Sequence, residues 1–447
     1  MNARGRESDD SGDACGRPVD RSDAVVAERG GVAQDVPVTA PPPGLARRLG
    51  LGDAVVLGMG SMLGAGVFAA FGPAASAAGS GLLVALVVAG VVAWANATSS
   101  ARLAARYPES GGTYVYGRRR LGPVWGFLAG WGFVVGKTAS CAAMALTVGA
   151  YAWPAQPRVV AAAVVVACTA VTCLGVTRTA RVTRVLVVLT LAALAAVVAG
   201  ALTGPGTAPP PDPLPHGVLG VLQAAGLLFF AFAGYARIAT LGEEVRDPAR
   251  TIPRAITVAL AAVLVIYAVV GAAALAAVGP AALAASPAPL LTAAGGGGAL
   301  AAVVRVGGAV AATGVLLSLL AGVGRTTLAM ARDRELPHAL AAVHPRHRTP
   351  NRATLAVGTV VLALVLLTDL RHAIGFSSTA VLVYYAIANT CALTLGRRPF
   401  RSSATAVVGL VGCVALVATL PPGDVVTGVA VLLAGVTGRA VLLRRRP

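Results

Sequence analysis

The sequence predicts an all-α polytopic membrane protein with twelve transmembrane helices, and three observations lead to this fold class. Of the 447 residues, 56% are hydrophobic and 12% are charged. Apolar runs of about 20 residues, long enough to cross a hydrocarbon core of about 30 Å, recur from Asp53 to Leu443. Arginines cluster between these runs, mostly in every second loop, which is the positive-inside bias of cytoplasmic loops.

The predicted spans are separated by loops of alternating charge. They cover residues 53–76, 80–104, 122–150, 157–176, 183–204, 217–240, 253–279, 299–330, 352–370, 375–396, 404–420 and 423–443. Arginine-rich loops such as 118–120 alternate with loops that hold little beyond Arg158 and Arg371. Both termini are therefore predicted to be cytoplasmic, and the even number of spans agrees. Residues 1–45 carry eight of the eighteen acidic residues and no apolar run, which predicts a disordered cytoplasmic tail.

Composition and spacing exclude several classes of function. The net charge of +18 resides in the loops and not on one basic face, so no nucleic-acid partner is expected. The six cysteines and five histidines do not have the spacing of metal ligands, so no metal site or cofactor is predicted. The sequence shows neither a phosphate-binding loop nor a cluster of catalytic side chains. We therefore predict a membrane protein that is not an enzyme and has no catalytic residues.

The first span contains a glycine-rich stretch, Gly58–Phe68, in which four of eleven residues are glycine. Glycine costs about 1 kcal/mol per position inside a helix, so the helix is expected to break here. The break would free the amides of Ala65, Gly66 and Val67 and the carbonyls of Ser61, Met62 and Leu63, on either side of Gly64. One end then attracts anions and the other attracts cations, which suits the two charges of an amino acid. Close packing of two helices on small residues would also explain the stretch.

A second break is predicted in the sixth span, where Gly234 follows an aromatic cluster in the segment Phe229–Arg237. This span lies five spans after the first break. Two interrupted spans in corresponding positions are typical of an inverted repeat of two five-helix units, with a binding site near the membrane midplane. An ordinary aromatic packing face with one small residue is the alternative for this segment taken alone.

Two basic residues inside or next to the spans are candidates for function. Lys137 is the only lysine of the chain and lies well inside the third span. An ionisable residue at this depth is costly unless it is paired, neutral or hydrated, so Lys137 is a candidate coupling or substrate-binding group. The alternative is a lysine that snorkels or donates to backbone carbonyls at a helix break. Arg237, near the end of the sixth span, is a candidate substrate contact, with a gate or structural pairing as the alternative. The acidic residues beyond the tail all lie in loops or at span ends, so no carboxylate is predicted at mid-membrane.

Four segments together resemble the amino acid–polyamine–organocation superfamily of permeases. They are Gly64–Phe68, the segment Pro108–Tyr114 running on to Trp131, the segment Phe229–Pro253, and Ala329–Asp333 leading to Pro337. The likeness covers about residues 45–445 in order. It implies a five-plus-five inverted repeat with broken first and sixth helices in residues 46–400. It also implies alternating access by a rocking bundle, and two further helices in residues 401–447.

The resemblance also implies the residues of a substrate site. The substrate carboxylate would bind the amides of Ala65, Gly66 and Val67. The ammonium would bind carbonyls of Met62 and Leu63 and of the four residues before Gly234, which are Phe230, Ala231, Phe232 and Ala233. The side chains of Phe230 and Phe232 would form the aromatic wall and gate of the site. Thr190 stands where many proton-coupled members have a fifth-span lysine, and Ala236 stands where many have a carboxylate. We expect Lys137 to replace the missing lysine as the coupling group or else to contact the substrate.

The predicted function is secondary active transport of an amino acid across the plasma membrane. The lack of midplane carboxylates favours a neutral or anionic amino acid over polyamines and cationic substrates. Proton symport is the first hypothesis and exchange is the second, while the hydroxyls of Thr190 and Ser318 suit sodium coordination. A non-transporting membrane sensor with the same fold is the rival from another class. The particular amino acid, the direction of net transport and the oligomeric state stay open.

Overall fold

The computed structural model describes residues 49–64, 66–107, 111–175, 180–203, 214–239, 241, 244–295, 297–395 and 400–444. The predicted tail, residues 1–45, lies outside the described residues. Leu45–Pro447 form one compact unit. The predicted division of this unit into a ten-helix core and two final helices stays a prediction.

The described chain is built from α-helices. Sixteen are assigned: α1 Leu51–Leu63, α2 Gly66–Ala78, α3 Leu82–Arg106, α4 Thr113–Arg120, α5 Pro123–Ala152, α6 Pro157–Cys173, α7 Ala180–Thr203, α8 Gly217–Phe232, α9 Ala236–Ala239, α10 Pro248–Ala285, α11 Pro289–Ala293, α12 Gly298–Arg332, α13 Asn351–Leu367, α14 Leu370–Leu393, α15 Phe400–Thr419 and α16 Pro422–Arg444. Short 3₁₀ helices cover Gly79–Gly81, Ala233–Tyr235 and His338–Ala341.

Length and hydropathy identify the membrane-crossing part of this set. Within the described ranges, eight helices are long and apolar enough to cross a membrane, and four shorter apolar helices accompany them. The predictions of an all-helical architecture and of a multi-pass membrane protein are thereby supported. The helices lie close to the predicted spans, whereas the count of twelve spans and the inverted repeat remain predictions.

Helix α5 lies at the centre of the packing, with α12 on one face and α14 on another. Small residues allow these close approaches: a Cβ on Gly130 would lie 2.9 Å from the sulfur of Met330 on α12, and one on Gly136 would lie 3.0 Å from Cβ of Ala380 on α14. The hydroxyls of Ser140 and Ser377 meet at 2.7 Å across the second contact. Small side chains and hydroxyl contacts are the usual means of packing helices in a membrane, because burial of apolar surface between helices gives no net hydrophobic stabilisation in lipid.

Polar contacts join two of the motif segments on the predicted cytoplasmic side. The hydroxyl of Tyr114 donates to Oδ2 of Asp333 over 2.5 Å, and the guanidinium of Arg118 donates to the same oxygen over 2.8 Å. Burial, together with the Asp333 carboxylate, raises the pKa of Tyr114 above its usual value, so the phenol stays protonated and can donate. Glu335 pairs with Arg439 of α16 nearby. These contacts give the motif residues a structural role at the predicted cytoplasmic ends of α12 and α16 and at α4.

Candidate functional site

The first span is interrupted where the glycine-rich stretch predicts a break. Helix α1 ends at Leu63, and α2 begins at Gly66. Gly64 lies between them with a φ of −66°, and Ala65, a predicted carboxylate ligand, lies outside the described residues. The amide groups of the first residues of α2 have no partner within their own helix, which makes this end suited to an anionic group.

The second predicted break is a tightening of the helix by one turn. Helix α8 ends at Phe232, the 3₁₀ turn Ala233–Tyr235 follows, and α9 continues over Ala236–Ala239. A 3₁₀ turn in the middle of a span changes the hydrogen-bond pattern, so it leaves a carbonyl available without a large bend. Gly234, predicted as the break, lies at the centre of this turn.

The two interruptions cross each other in backbone contact. A Cβ on Gly66 would overlap the backbone of Ala231, and a Cβ on Gly234 would overlap the carbonyl of Ser61. Each interruption therefore has a glycine where the backbone of the other passes. This crossing brings the amide end of α2 together with the predicted ammonium ligands at Met62 and Ala231.

Tyr267 of α10 joins the two interruptions, and sequence reasoning missed it. Its hydroxyl donates to the carbonyl of Met62 over 2.6 Å and lies 3.3 Å from the carbonyl of Ala231. The side chain is fully buried, and its ring packs against Phe232 at 5.4 Å between centroids. A tyrosine in the middle of an apolar span was the available signal, because a buried phenol needs a hydrogen-bond partner.

Tyr151 plays a similar part at the first turn of α2, and it was also missed. Its hydroxyl donates to the carbonyl of Phe68 over 3.1 Å and accepts from the amide of Leu290 over 3.3 Å. Its ring meets that of Phe68 edge to face at 5.5 Å. Gly308 of α12 admits this ring, since a Cβ there would lie 2.7 Å from it. The start of α2 is thus held from α5, α11 and α12.

The predicted aromatic residues of the sixth span differ in exposure. Phe230 is partly exposed, whereas Phe229 and Phe232 are fully buried. Phe229 packs edge to face on Tyr385 of α14, with 5.6 Å between ring centroids. Phe230 is therefore the most accessible of these three side chains, and Phe232 packs against Tyr267. Their roles as wall and gate stay predictions.

A small cavity lies beside the first interruption, between α1, α7 and α12. Its lining consists of Gly60, Gly64, Thr183, Leu186, Val187, Thr190, Ala311, Gly314 and Val315. The hydroxyl of Thr190 donates to the carbonyl of Leu186 over 2.7 Å, so its oxygen lone pairs remain available. Ser318 is one helical turn beyond Gly314 on α12 and does not belong to this lining. Of the two candidate hydroxyl residues, the structure brings Thr190 to the interruption.

Lys137 is buried but lies away from the crossing. It is 7% exposed, and no described residue forms a hydrogen bond or ion pair with it. On α5, Gly130 lies against Met330 and Tyr151 lies against Gly308, so the register of the two antiparallel helices places Lys137 level with residues 322–323 of α12. Gly64 lies against α12 at Ala311 and Val315, which are about 10–18 Å farther along that helix. The structure therefore does not bring Lys137 into the predicted substrate site.

Arg237 also lies outside the crossing, on the short helix α9. Its side chain is exposed, and it interacts electrostatically with Glu244 and with Arg325 of α12. Arg237 lies three residues after Gly234, toward the predicted cytoplasmic side, and this position agrees with a role of Arg237 in a gate or in a structural pairing. A direct contact with a substrate at the crossing has no support in this placement.

The start of α1 has two polar attachments on the predicted cytoplasmic side. Asp53 pairs with Arg184 of α7. Leu49 forms a parallel bridge with Val245, in which its amide donates to Glu244 over 3.0 Å and its carbonyl accepts from Arg246 over 3.0 Å. The first half of the interrupted span is thereby joined both to α7 and to the loop that follows α9.

An all-helical membrane protein with two interrupted helices crossing in its core has the features of a membrane transporter. Comparison with known proteins agrees. The amino acid permease family matches residues 49–438. The chain therefore belongs to the amino acid permease family, within the amino acid–polyamine–organocation superfamily. The small-molecule transport predicted from the sequence is the activity of this family.

Individual relatives show different degrees of similarity. An uncharacterized transporter of Mycobacterium tuberculosis (strain ATCC 25618 / H37Rv) is 62% identical over 416 residues, covering 90% of this chain and 94% of that protein. The branched-chain amino acid permease BcaP of Bacillus subtilis (strain 168) is 29% identical over 375 residues, covering 77% and 80%. The chloroplastic cationic amino acid transporter 7 of Arabidopsis thaliana is 30% identical over 371 residues, covering 75% and 63%.

Proposed function

We propose that this protein is a secondary active transporter, and not an enzyme, that carries a neutral or anionic amino acid across the plasma membrane. It works by alternating access, with both termini in the cytoplasm and with proton coupling. The crossing of the two interruptions at Gly66–Ala231 and Ser61–Gly234 is the observation that carries this proposal. At this crossing, the N-terminal end of α2 and carbonyls of α1 and α8 lie together, so one small zwitterion can engage both.

The substrate preference rests on charge. Among the described residues that form the crossing, none is acidic, so a second positive charge on a substrate would lack a counter-charge there. The relative named as a branched-chain amino acid permease supports a neutral substrate. The relative named as a cationic amino acid transporter supports a cationic substrate. We give priority to the charges of this chain.

Coupling is assigned to Lys137, with the cavity beside Thr190 as the alternative. A buried lysine without an ion-pair partner is a group that can exchange a proton during a cycle. Its distance from the crossing means that it would act through α5 and α12 and not through the substrate. The cavity beside Thr190 would favour a cation bound by hydroxyl and carbonyl oxygens.

Uptake by proteoliposomes tests the proposal directly. Purified protein would be reconstituted and supplied with radiolabelled amino acids in turn, with and without an imposed proton gradient. We expect uptake of one group of neutral or acidic amino acids, and a faster initial rate with an inward proton gradient. Uptake that requires an amino acid inside the vesicles, and ignores the gradient, would instead establish exchange.

A thermal-shift screen against amino acids and polyamines, read together with the uptake assay, distinguishes an amino acid transporter from a sensor and from a protein that binds polyamines. A ligand that binds the native state alone raises the unfolding midpoint. Stabilisation by amino acids without uptake would favour the sensor. Stabilisation by polyamines alone would contradict the charge argument.

A further inference from the structure

The last helix, α16, is attached to the rest of the protein by three polar contacts along its length. At its predicted outer end, Asp424 lies 2.8 Å from Nδ1 of His372 on α14. In its middle, the carbonyl of Val431 accepts a 2.9 Å hydrogen bond from the indole of Trp131. Toward its inner end, Arg439 pairs with Glu335. Of these three contacts, the one at His372 contains a group that titrates between about pH 5 and 8.

The two partners of the outer contact differ in their access to solvent. The side chain of Asp424 is 5% exposed, whereas that of His372 is 60% exposed. Oδ2 of Asp424 has no hydrogen-bond partner within the described residues, and it packs on Gly375, where a Cβ would overlap it. A buried carboxylate with an unpaired oxygen is unfavourable, so Asp424 depends on His372 for compensation.

Few other charges act on this pair. Oδ1 of Asp369 accepts a 2.9 Å hydrogen bond from the amide of His372, and Oδ2 of Asp369 lies 3.9 Å from Nε2 of the ring. Arg371 is the remaining charge that acts on both His372 and Asp424 among the described residues. The imidazole is thus flanked by a carboxylate near each ring nitrogen, so its positive form has a counter-charge on both sides.

We propose that His372 and Asp424 form a proton-binding site on the predicted outer side, and that proton occupancy sets how firmly α16 is held against α14. With the proton bound, the imidazolium donates from Nδ1 to Asp424 and faces Asp369 at Nε2. When the proton leaves, the buried charge of Asp424 loses its compensation and the contact weakens. Helix α16 has few other anchors, because its buried residues are Asp424, Gly428 and Leu432.

The site has a structural route to the candidate substrate site. Helix α14 carries both His372 and Tyr385, and the ring of Tyr385 packs against Phe229 of the sixth span. The proposal itself concerns helix attachment. It is therefore tested by stability and stands or falls independently of any transport activity.

The test compares unfolding midpoints of the full chain in detergent between about pH 5.5 and 8. We expect the wild-type midpoint to fall with rising pH relative to His372→Gln, which should lack this component. His372→Arg should keep a high midpoint at both ends of the range, because a guanidinium does not lose its charge. His216→Gln removes an exposed histidine elsewhere and should follow the wild type.

A double-mutant cycle with Asp424→Asn isolates the pair. The coupling between positions 372 and 424 should be several-fold larger at the acidic end of the range than at the basic end. Equal coupling at both pH values, or a wild-type pH dependence in His372→Arg, would overturn the proposal.

A second measurement needs no variant and covers the case in which Asp424→Asn does not fold. Diethylpyrocarbonate modifies neutral histidine, and mass spectrometry reads each site separately. Modification of His372 should require a higher pH than modification of a histidine in an unstructured peptide. Identical pH profiles of His372 and of the peptide would contradict the proposed proton-binding site.

Discussion

The hydroxyl of Tyr267 lies 2.6 Å from the carbonyl oxygen of Met62, and the same hydroxyl lies 3.3 Å from the carbonyl oxygen of Ala231. These two carbonyls belong to the two interrupted spans. A phenol has one proton to donate, and each carbonyl has two lone pairs, so both oxygens retain capacity for a further donor. Tyr267 therefore ties the interruptions together, and the proposed binding of an ammonium group by the same carbonyls is compatible with this contact.

Replacing Tyr267 by phenylalanine should weaken the crossing. The ring packing on Phe232 is kept, but the hydroxyl that holds the two carbonyls is lost. We expect the free energy of unfolding to fall by about 1 kcal/mol and amino acid uptake to fall with it. Thermal unfolding and proteoliposome uptake measure the two effects. Tyr107→Phe is the control, because no hydrogen bond of its hydroxyl to a described residue is found. Equal effects of the two substitutions would contradict the role of Tyr267.

Alanine at either crossing glycine should disrupt the site. A Cβ on Gly66 or Gly234 would overlap backbone atoms of the other interruption, which cannot move as a flexible side chain can. We expect a loss of about 1–3 kcal/mol in stability and little or no uptake. Gly322→Ala is the matched control in a helix, because no atom lies within 4 Å of its added Cβ. Gel filtration and thermal unfolding compare the folding and stability of the three variants. A Gly66→Ala protein as stable as Gly322→Ala would refute the crossing.

Lys137→Gln should flatten the pH dependence of uptake. The substitution removes an unpaired buried charge, so stability should stay the same or rise. Because Lys137 lies about 10–18 Å from the crossing along α12, the KM for the amino acid should change less than about two-fold. Initial uptake rates across a pH series provide the measurement, and Arg158→Gln provides a control for loss of one exposed positive charge in the first turn of α6. Unchanged pH dependence would remove Lys137 as the coupling group.

Arg184→Gln should ease the opening of α1 on the predicted cytoplasmic side. The Arg184 and Asp53 side chains are 57% and 26% exposed, so their pair contributes less than about 1 kcal/mol to stability. The labelling uses a Met59→Cys variant in which Cys15 and Cys173 are replaced by serine. We expect an almost unchanged unfolding midpoint and several-fold faster maleimide labelling at position 59. Arg250→Gln, which removes an exposed pair with Asp247, is the control. Equal labelling rates in both variants would rule out Arg184 as a restraint on α1.

The sequence was informative wherever local composition decides the structure. Apolar length and arginine clusters predicted the membrane helices, because a bilayer imposes the same length requirement on every span. The glycines at positions 58–66 predicted the end of α1, because helix propensity is a local property. The motif segments predicted the family to which the chain belongs.

Contacts between side chains from segments far apart in the sequence could not be predicted from local sequence patterns. Asp424 was placed at a span end and passed over as a relay, yet the structure buries it against Gly375 and His372. The depth of Lys137 and the missing fifth-span lysine predict a coupling or substrate role, yet neither specifies how far along α5 from the crossing Lys137 lies. Tyr151 and Tyr267 were not singled out, because their partners are backbone carbonyls in other spans.

By itself, the sequence determined that this chain is a helical membrane protein of the amino acid permease family with two interrupted spans. The tertiary structure alone decided that Gly66 meets Ala231, that Gly234 meets Ser61, and that one tyrosine joins both interruptions. The physical reason is that a break depends on residues adjacent in the chain, whereas a binding site depends on which helices cross. That crossing is set by the packing of small residues between helices far apart in sequence.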